Sequence, residues 1–440
     1  MTGQQAGMVV GERFDPHALK AIRRRMAGYV IVWICIFSSG FVIREPAPYE
    51  LMLVPVIAGW FIFGGLKLYP QFGPAFLLMM LFSAGGFLSL TQATTFDVGP
   101  MFVTVTLFLV ITFFFFANLI AMNRRVLPVI RNAYIISATI VATLGTLGYF
   151  GVIPGAELFT LFDRAKGTFE DPNVFGPFLV FPIALLTHDL LTRPLSRTFW
   201  QVPIILILLF GLFLSFSRTA WGMAFVTLLT VTVIVFISDP RPIVRMRIFA
   251  IAAAGIVLLG AGLAVALSFD AVADLFSERA KLAQPYDSAR LGRFARYSYG
   301  FTMAFESPLG IGPMQFRNFF PEDPHNVYMK SLLDYGWIGG FGYIGFTLWT
   351  VVRGFPLVFK SADWSVMYRA AYVTFLAHVF GGLVIDTDHW RHLFLIYGIV
   401  WGCIIIAERD KLAQRAVASA PPRAVSARRR HAVPVAASSS

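Results

Sequence analysis

The residues best suited to chemistry are His325-Asn326 and, nine residues further on, Gly336-Trp337-Ile338-Gly339. An imidazole exchanges protons near neutral pH, so a histidine at a wet position is a candidate general base. Pro321-Glu322-Asp323-Pro324 breaks regular structure just before it, and a long apolar run begins just after. His325 is therefore expected at a helix start, at the level where a bilayer meets water. An enzyme acting on a lipid-linked substrate would hold its base there.

Three further clusters carry cations or carboxylates at similar boundaries. Ser215-Phe216-Ser217-Arg218 joins two apolar runs with almost no loop, which leaves Arg218 at a membrane edge. A cation so placed is costly unless paired and marks a functional position by default, with snorkelling to headgroups as the competing reading. The stretch from Ser288 to Tyr297 reads as a basic amphipathic helix with Arg290 and Arg293 on one face. It suits an interfacial helix, and two guanidiniums on one face also suit a diphosphate. In the run from Arg164 to Pro177, Pro172 fits a first helical position and Asp171 its cap, while Lys166 and Asn173 would add to a polar rim.

The last cluster is Asp386-Thr387-Asp388-His389-Trp390-Arg391-His392. Its carboxylates, with Arg391, are expected to form a buried pair that fixes the final helical hairpin; positioning His325 or an acceptor is the alternative, and Asp388 and Arg391 are the supporting candidates. His389 and His392 are close in sequence, but no third ligand has metal-site spacing.

These clusters need a scaffold, and the composition names it. Apolar residues make up 57% of the 440 positions and charged residues 14%, against roughly a quarter charged in soluble domains. Mean hydropathy is +0.70. Apolar runs of about 17–25 residues suit a hydrocarbon core of about 30 Å. The expected fold is all-α and polytopic, with about twelve spans near 27–44, 50–67, 73–91, 100–121, 128–151, 173–191, 200–216, 219–238, 246–268, 326–350, 366–385 and 391–407. Residues 1–26 are expected to form a cytoplasmic segment ahead of a retained signal anchor, 27–407 the transmembrane domain with its loops, and 408–440 a disordered cytoplasmic tail.

Orientation follows from Lys and Arg in short loops. Arg23-Arg24-Arg25, Arg124-Arg125, Arg193 with Arg197, Arg241 with Arg245 and Arg247, Arg353 with Lys360, and Arg428-Arg429-Arg430 all fall on one side of a twelve-span chain, with both termini. That side is expected to be cytoplasmic. These basic groups account for much of the net charge of +12, and they read as topology and membrane-lipid contacts, not as a nucleic-acid surface. The opposite side has long loops near 152–172 and 269–325. The second holds Arg279, Lys281, Arg290, Arg293, Arg296 and Arg317 with Asp287, Glu306, Glu322 and Asp323. Cations on a translocated side invite a phosphorylated substrate; pairing with local acids competes.

Cys35 and Cys403 lie inside expected spans and read as small apolar fillers. HExxH, P-loop and GxSxG motifs, and a dinucleotide fingerprint of G-x-G-x-x-G between a strand and a helix, are absent, so metal, nucleotide and acyl-serine chemistry lack support.

Taken in order, Phe169-Glu170-Asp171-Pro172-Asn173-Val174-Phe175-Gly176, Ser215-Phe216-Ser217-Arg218, Gly292-Arg293 leading to Pro308-Leu309-Gly310-Ile311-Gly312, and His-Asn-x9-Gly-x-x-Gly resemble the O-antigen ligase and O-antigen (exopolysaccharide) polymerase superfamily over roughly residues 100–405. The resemblance implies a membrane-embedded, GT-C-like glycosyltransferase with a large periplasmic loop, inverting, metal-independent and needing no cofactor. It implies a donor glycan on undecaprenyl diphosphate, used at the periplasmic face of a bacterial inner membrane. The acceptor would be lipid A–core for a ligase, or a second lipid-linked glycan for a polymerase; the His-Asn-x9-Gly-x-x-Gly spacing matches the ligase pattern. The family histidine falls on His325, the arginine after the paired serines on Arg218, and the large-loop arginine on Arg293, with Arg290 close by. Where the family often has Trp four residues after that arginine, this chain has Tyr297. A lipid-linked sugar transporter is the reading from another class, and it requires polar residues and broken helices at mid-bilayer.

Overall fold

The computed structural model describes residues 16–63, 65, 67, 69–279, 293–320 and 322–419. A helix lies on each of the twelve apolar runs. In chain order these are α1 (Pro16–Ser38), α2 (Pro48–Ile62), α3 (Gly73–Ser89), α4 (Gly99–Met122), α5 (Leu127–Tyr149), α6 (Pro172–Thr192), α7 (Gln201–Leu214), α8 (Arg218–Ser238) and α9 (Pro242–Ala266). After the amphipathic α10 (Asp270–Arg279) and α11 (Arg293–Glu306) come α12 (Val327–Gly354), α13 (Ser365–Gly381) and α14 (Arg391–Ser419). Among the described residues, seven helices are long and apolar enough to cross a membrane by length and composition; α2 and α7 are shorter apolar helices. The chain is an all-α polytopic membrane protein.

The core is built from helix pairs. α12 packs on α3, α14 on α4, α6 on α7 and α8, and α13 between α8 and α14. α6 and α14 are buried over most of their spans, as apolar all-round helices at the centre of a bundle should be. α3 and α12 approach closely, so that a methyl group on Gly85 would strike the backbone of Gly339. Small residues are what allow two backbones to approach so nearly.

The connections sort into two ends. At one end Arg124 pairs with Asp363 at 3.1 Å, Arg247 reaches the carbonyl of Arg193, Arg353 pairs with Glu408, and Arg409 donates to the carbonyl of Ala121 at 2.9 Å. Those are the basic connections that the loop charges group together, so the alternation read from the sequence is present in the contacts. The other end gathers residues 39–47, 93–98, 150–171, 215–217, 267–279, 293–320, 322–326 and 382–390.

Three features depart from the expectation. α14 continues to Ser419, so residues 408–419 of the expected disordered tail are helical; 420–440 lie outside the described residues. The 152–172 loop carries a two-stranded hairpin, Thr160–Leu161 with Arg164–Ala165. Its turn residues Phe162 and Asp163 both have positive φ, the twist that a two-residue hairpin favours. Finally, α12 is not one straight helix. Gly336 has φ 64° and ψ −174°, a conformation nearly confined to glycine. The turn Pro308-Leu309-Gly310 fills the break: Trp337 N donates to Pro308 O at 2.9 Å, and Ile311 N donates to Leu333 O at 2.8 Å. The Pro-Leu-Gly and Gly-x-x-Gly runs are thus two halves of one joint.

Candidate functional site

His325 stands immediately before α12. Asn326 caps that helix, its side-chain oxygen accepting from Tyr328 N and Met329 N, each at 3.1 Å. The cap makes the chain turn sharply, and His325 takes a left-handed φ of 54°. Two bonds hold this turn against the α13–α14 connection. Val327 N donates to Gly382 O at 2.8 Å. The Tyr297 hydroxyl of α11 lies 3.1 Å from both His325 O and Leu383 O. The imidazole is one-third exposed, with Nδ1 3.4 Å from Asp386 Oδ2 and Nε2 3.8 Å from Glu322 Oε2.

Behind it lies a buried polar network that the sequence reading missed. Lys330, one turn into α12, is buried with its Nζ 3.5 Å from Asp388 Oδ2 and 4.8 Å from the centre of the Phe102 ring. Asp388 also meets His389 Nδ1 at 3.0 Å. His389 Nε2 lies 3.0 Å from Thr106 Oγ1, which in turn is 2.6 Å from the Tyr335 hydroxyl. Burial alone would push the Asp388 carboxyl up, but the Lys330 ammonium and then His389 reverse this and hold it below the usual carboxylate range. Asp334, one turn beyond Lys330, is also buried. A signal was available: Lys330 and Asp334 are an i,i+4 pair of charges inside an apolar run.

This network corrects the expected pairing of the final hairpin. Arg391 does not pair with Asp386 or Asp388. It binds Glu50 and, at 2.7 Å, Glu45. The reason is direction: Arg391 opens α14 and faces α2, while Asp388 faces α12. His389 and His392 also diverge, since His392 Nε2 meets His378 Nε2 at 3.1 Å. Among the described residues, no three His, Cys, Asp or Glu side chains are grouped to hold a metal ion.

The 160–177 run and the serine turn form one unit. Asp171 caps α6 by accepting from Asn173 N at 2.7 Å, and Pro172 is the first residue of that helix. Arg164 is buried by its hairpin; its Nε donates to Ser215 O at 2.8 Å and its Nη2 to Asn173 Oδ1 at 2.9 Å. Asn173 is therefore engaged by an arginine of its own loop. Arg164 escaped notice because the turn that aims it, Phe162-Asp163, lacks the usual glycine or asparagine. Lys166 lies near Glu170, whose carboxyl is pushed up by burial and by Glu45, with Arg391 and Lys166 opposing. Ser217 caps α8, and Arg218 is that helix's first residue, half-buried. Thr219, beside it, lies against Gly381, next to the Gly382 that holds Val327. The arginine turn and the histidine turn thus share the α13–α14 connection as a common wall.

In the long loop, Arg296 pairs with Glu322 at 3.0 Å and donates to Asp323 O, and Arg317 pairs with Asp323 at 2.7 Å. For these two the local-acid reading holds. Arg293 opens α11, while Arg290 lies outside the described residues.

A helical membrane protein with its histidine and arginine turns gathered at one end is the class that fold and geometry define. Residues 203–344 match the family model described as O-antigen ligase. The resemblance to the O-antigen ligase superfamily read from the motifs therefore holds, and the matched stretch contains Arg218, Arg293 and His325. It supports a ligase- or polymerase-type, glycosyltransferase-like enzyme acting on lipid-linked glycans. No curated protein matches the chain.

Proposed function

We propose that the chain transfers a glycan from undecaprenyl diphosphate to an acceptor hydroxyl at the periplasmic face of a bacterial inner membrane, as an O-antigen ligase with lipid A–core as acceptor. The observation that carries the reading is His325, inside the O-antigen ligase match, paired with Asp386 of the α13–α14 connection. The end holding it is the one opposite the arginine-rich connections, which the positive-inside rule assigns to the cytoplasm together with both termini.

His325 is the general base. A carboxylate accepts and does not donate, so Asp386 at Nδ1 favours the tautomer with its proton on Nδ1. Nε2 is then free to take the acceptor's hydroxyl proton. The hydroxyl oxygen attacks the anomeric carbon as the bond to the diphosphate breaks, which inverts the centre and releases undecaprenyl diphosphate. Arg218 and Arg293, with Arg290, meet the charge that builds on the leaving diphosphate, so the reaction needs no metal in this reading. Lys166, Asp171, Asn173, Asp388 and Arg391 support the walls, and Asn326 sets the turn that aims His325.

The test is transfer by purified protein in detergent, from lipid-linked glycan to lipid A–core and without a membrane gradient. Product that disappears in His325→Ala and Arg218→Ala sustains the proposal; full activity in both refutes it. A gene deletion separates acceptors: intact lipid-linked polymer with no long-chain lipopolysaccharide marks a ligase, and accumulated single repeats mark a polymerase. The broken helix α12 is a feature a transporter would also have, but its break is filled by the Pro308–Gly310 turn at the site end, and a transporter would make no product without a gradient.

A further inference from the structure

A braced, uncharged wall stands beside the histidine turn, built from two segments distant in sequence. One is the α3–α4 connection, residues 90–98; the other is the turn Gln315–Asn318, with Phe319 after it. Gln315 is buried, and its side chain holds the connection at both ends of its amide. Its Oε1 accepts from Thr94 N at 3.2 Å and from Thr94 Oγ1 at 2.7 Å. Its Nε2 donates to Thr95 O at 3.2 Å and to Thr95 Oγ1 at 3.1 Å. Asn318 Nδ2 donates to the same Oε1 at 3.0 Å and to Thr94 Oγ1 at 3.3 Å. Gly312, at φ 94°, brings the two backbones together, since a Cβ on it would lie 3.0 Å from the Cβ of Ala93.

Two observations tie this wall to the site. Phe316 and Phe320 are buried in one cluster with Met329 and Leu333 of α12, the helix that His325 precedes. Arg317, inside the turn, pairs with Asp323, two residues before His325. The outer surface of the wall has its own chemistry. Gln92, Thr94, Thr95 and Asn318 are exposed, and so are the rings of Phe96 and Phe319. No side chain from Thr91 to Phe96, nor at Asn318 or Phe319, is charged. Among the described residues, the side-chain oxygens of Gln92 and Asn318 accept no hydrogen bond.

A sugar hydroxyl both donates and accepts, so amides and hydroxyls held in a fixed network suit it. The C–H face of a pyranose is apolar, and an exposed aromatic ring suits that. Anionic headgroups call for cations instead, and Arg317, the cation beside the wall, is engaged by Asp323. We infer that the wall formed by the α3–α4 connection and the Gln315–Phe319 segment is a glycan subsite. It seats uncharged sugar residues of a chain whose reacting end lies at His325. This inference rests on the glycosyl-transfer reading above and adds where the rest of the chain is held. Donor polysaccharide and acceptor core both present such sugars, and the experiment separates them.

The test uses the full-length protein in phospholipid nanodiscs, with lipid A–core as acceptor and two donors. One is undecaprenyl diphosphate carrying a single repeat unit, the other the same lipid carrying the full polysaccharide. The double variant Asn318→Ala with Phe319→Ala removes an amide and a ring from the exposed surface. It is expected to raise KM for the polysaccharide donor roughly fivefold or more, the scale of one or two lost hydrogen bonds. KM for the single-repeat donor and kcat stay at wild-type values, as do all constants in Leu77→Ala, on the exposed side of α3. A rise in KM for lipid A–core alone also sustains the subsite and assigns it to the acceptor. Unchanged KM values for both donors and the acceptor, or equal rises for the two donors, overturn the subsite and leave the transfer reading intact. If the double variant does not fold, labelling decides. A photoreactive benzoylphenylalanine in place of Thr95 is expected to crosslink to glycan, and one that labels only phospholipid overturns the subsite. A wild-type protein that transfers from neither donor overturns both readings.

Discussion

Nδ1 of His325 lies 3.4 Å from Oδ2 of Asp386, across the junction between the mouth of α12 and the α13–α14 connection. The two residues are sixty-one positions apart in sequence, and the carbonyl of His325 accepts from the Tyr297 hydroxyl. If the carboxylate selects the tautomer, Asp386→Asn should lower kcat by roughly 10–100-fold with little change in KM, because a positioned base contributes about 10²–10⁴-fold. His325→Ala should cost more. Steady-state kinetics on protein with a wild-type melting profile distinguish this from a folding defect. A kcat for Asp386→Asn equal to that of wild type would remove Asp386 from the mechanism.

Arg218 and Arg293 should not tolerate lysine as a full substitute. A guanidinium grips two phosphate oxygens in a fixed fork, and an ammonium is a single point of charge. Arg218→Lys is expected to retain part of the activity and Arg218→Ala almost none, with the same order at Arg293. Equal loss in Lys and Ala variants would point to shape, not charge.

Tyr297 offers a smaller effect. Its hydroxyl ties the backbones of His325 and Leu383, and a hydrogen bond contributes about 0.5–1.5 kcal/mol net. Tyr297→Phe should destabilise the protein by about 1 kcal/mol and reduce transfer several-fold. The loss should fall on kcat, since the ring still packs and only the aim of His325 loosens.

The joint at Gly336 is expected to be intolerant. A side chain there is strained by the positive φ, and its Cβ would sit 2.6 Å from the carbonyl carbon of Leu309. Such backbone strain costs about 1–3 kcal/mol before the clash is counted. Gly336→Ala should lower the melting temperature measurably, whereas Gly222→Ala, in open space, should not.

The Lys330–Asp388 pair links stability to acid. The folded carboxyl of Asp388 lies below its unfolded value, so its contribution is complete above an unfolded pKa of about 3.9. It is lost as pH falls from there through the lower folded value. Melting temperature should be insensitive to this pair between pH 6 and 8, and Asp388→Asn should flatten the decline seen below about pH 4. Lys330→Met alone removes the ammonium and leaves the buried carboxylate with His389 as its remaining partner, at a cost of up to about 3–5 kcal/mol. Adding Asp388→Leu should recover much of that loss.

The amino-acid sequence by itself determined the helices, their alternation and the end at which polar chemistry collects. Apolar length and loop arginines are local quantities, and a bilayer leaves few other ways to satisfy a backbone. The Asp171 cap was equally legible, since a side-chain oxygen there meets the free N–H groups of a helix start; that Ser217 and Asn326 cap α8 and α12 in the same way came from the structure. What the tertiary structure alone decided is who faces whom. Arg391 turned to Glu45 and Glu50, not to its neighbours in sequence; Asp386 turned to His325; Lys330 found Asp388; and Arg164 joined two separate loops. Which apolar helices lie at the centre of the bundle and which stand exposed was also beyond reach, because an apolar helix has the same sequence whether it packs on protein or on lipid. Pairing depends on the direction of side chains across helices distant in sequence, and no spacing along one chain encodes that direction.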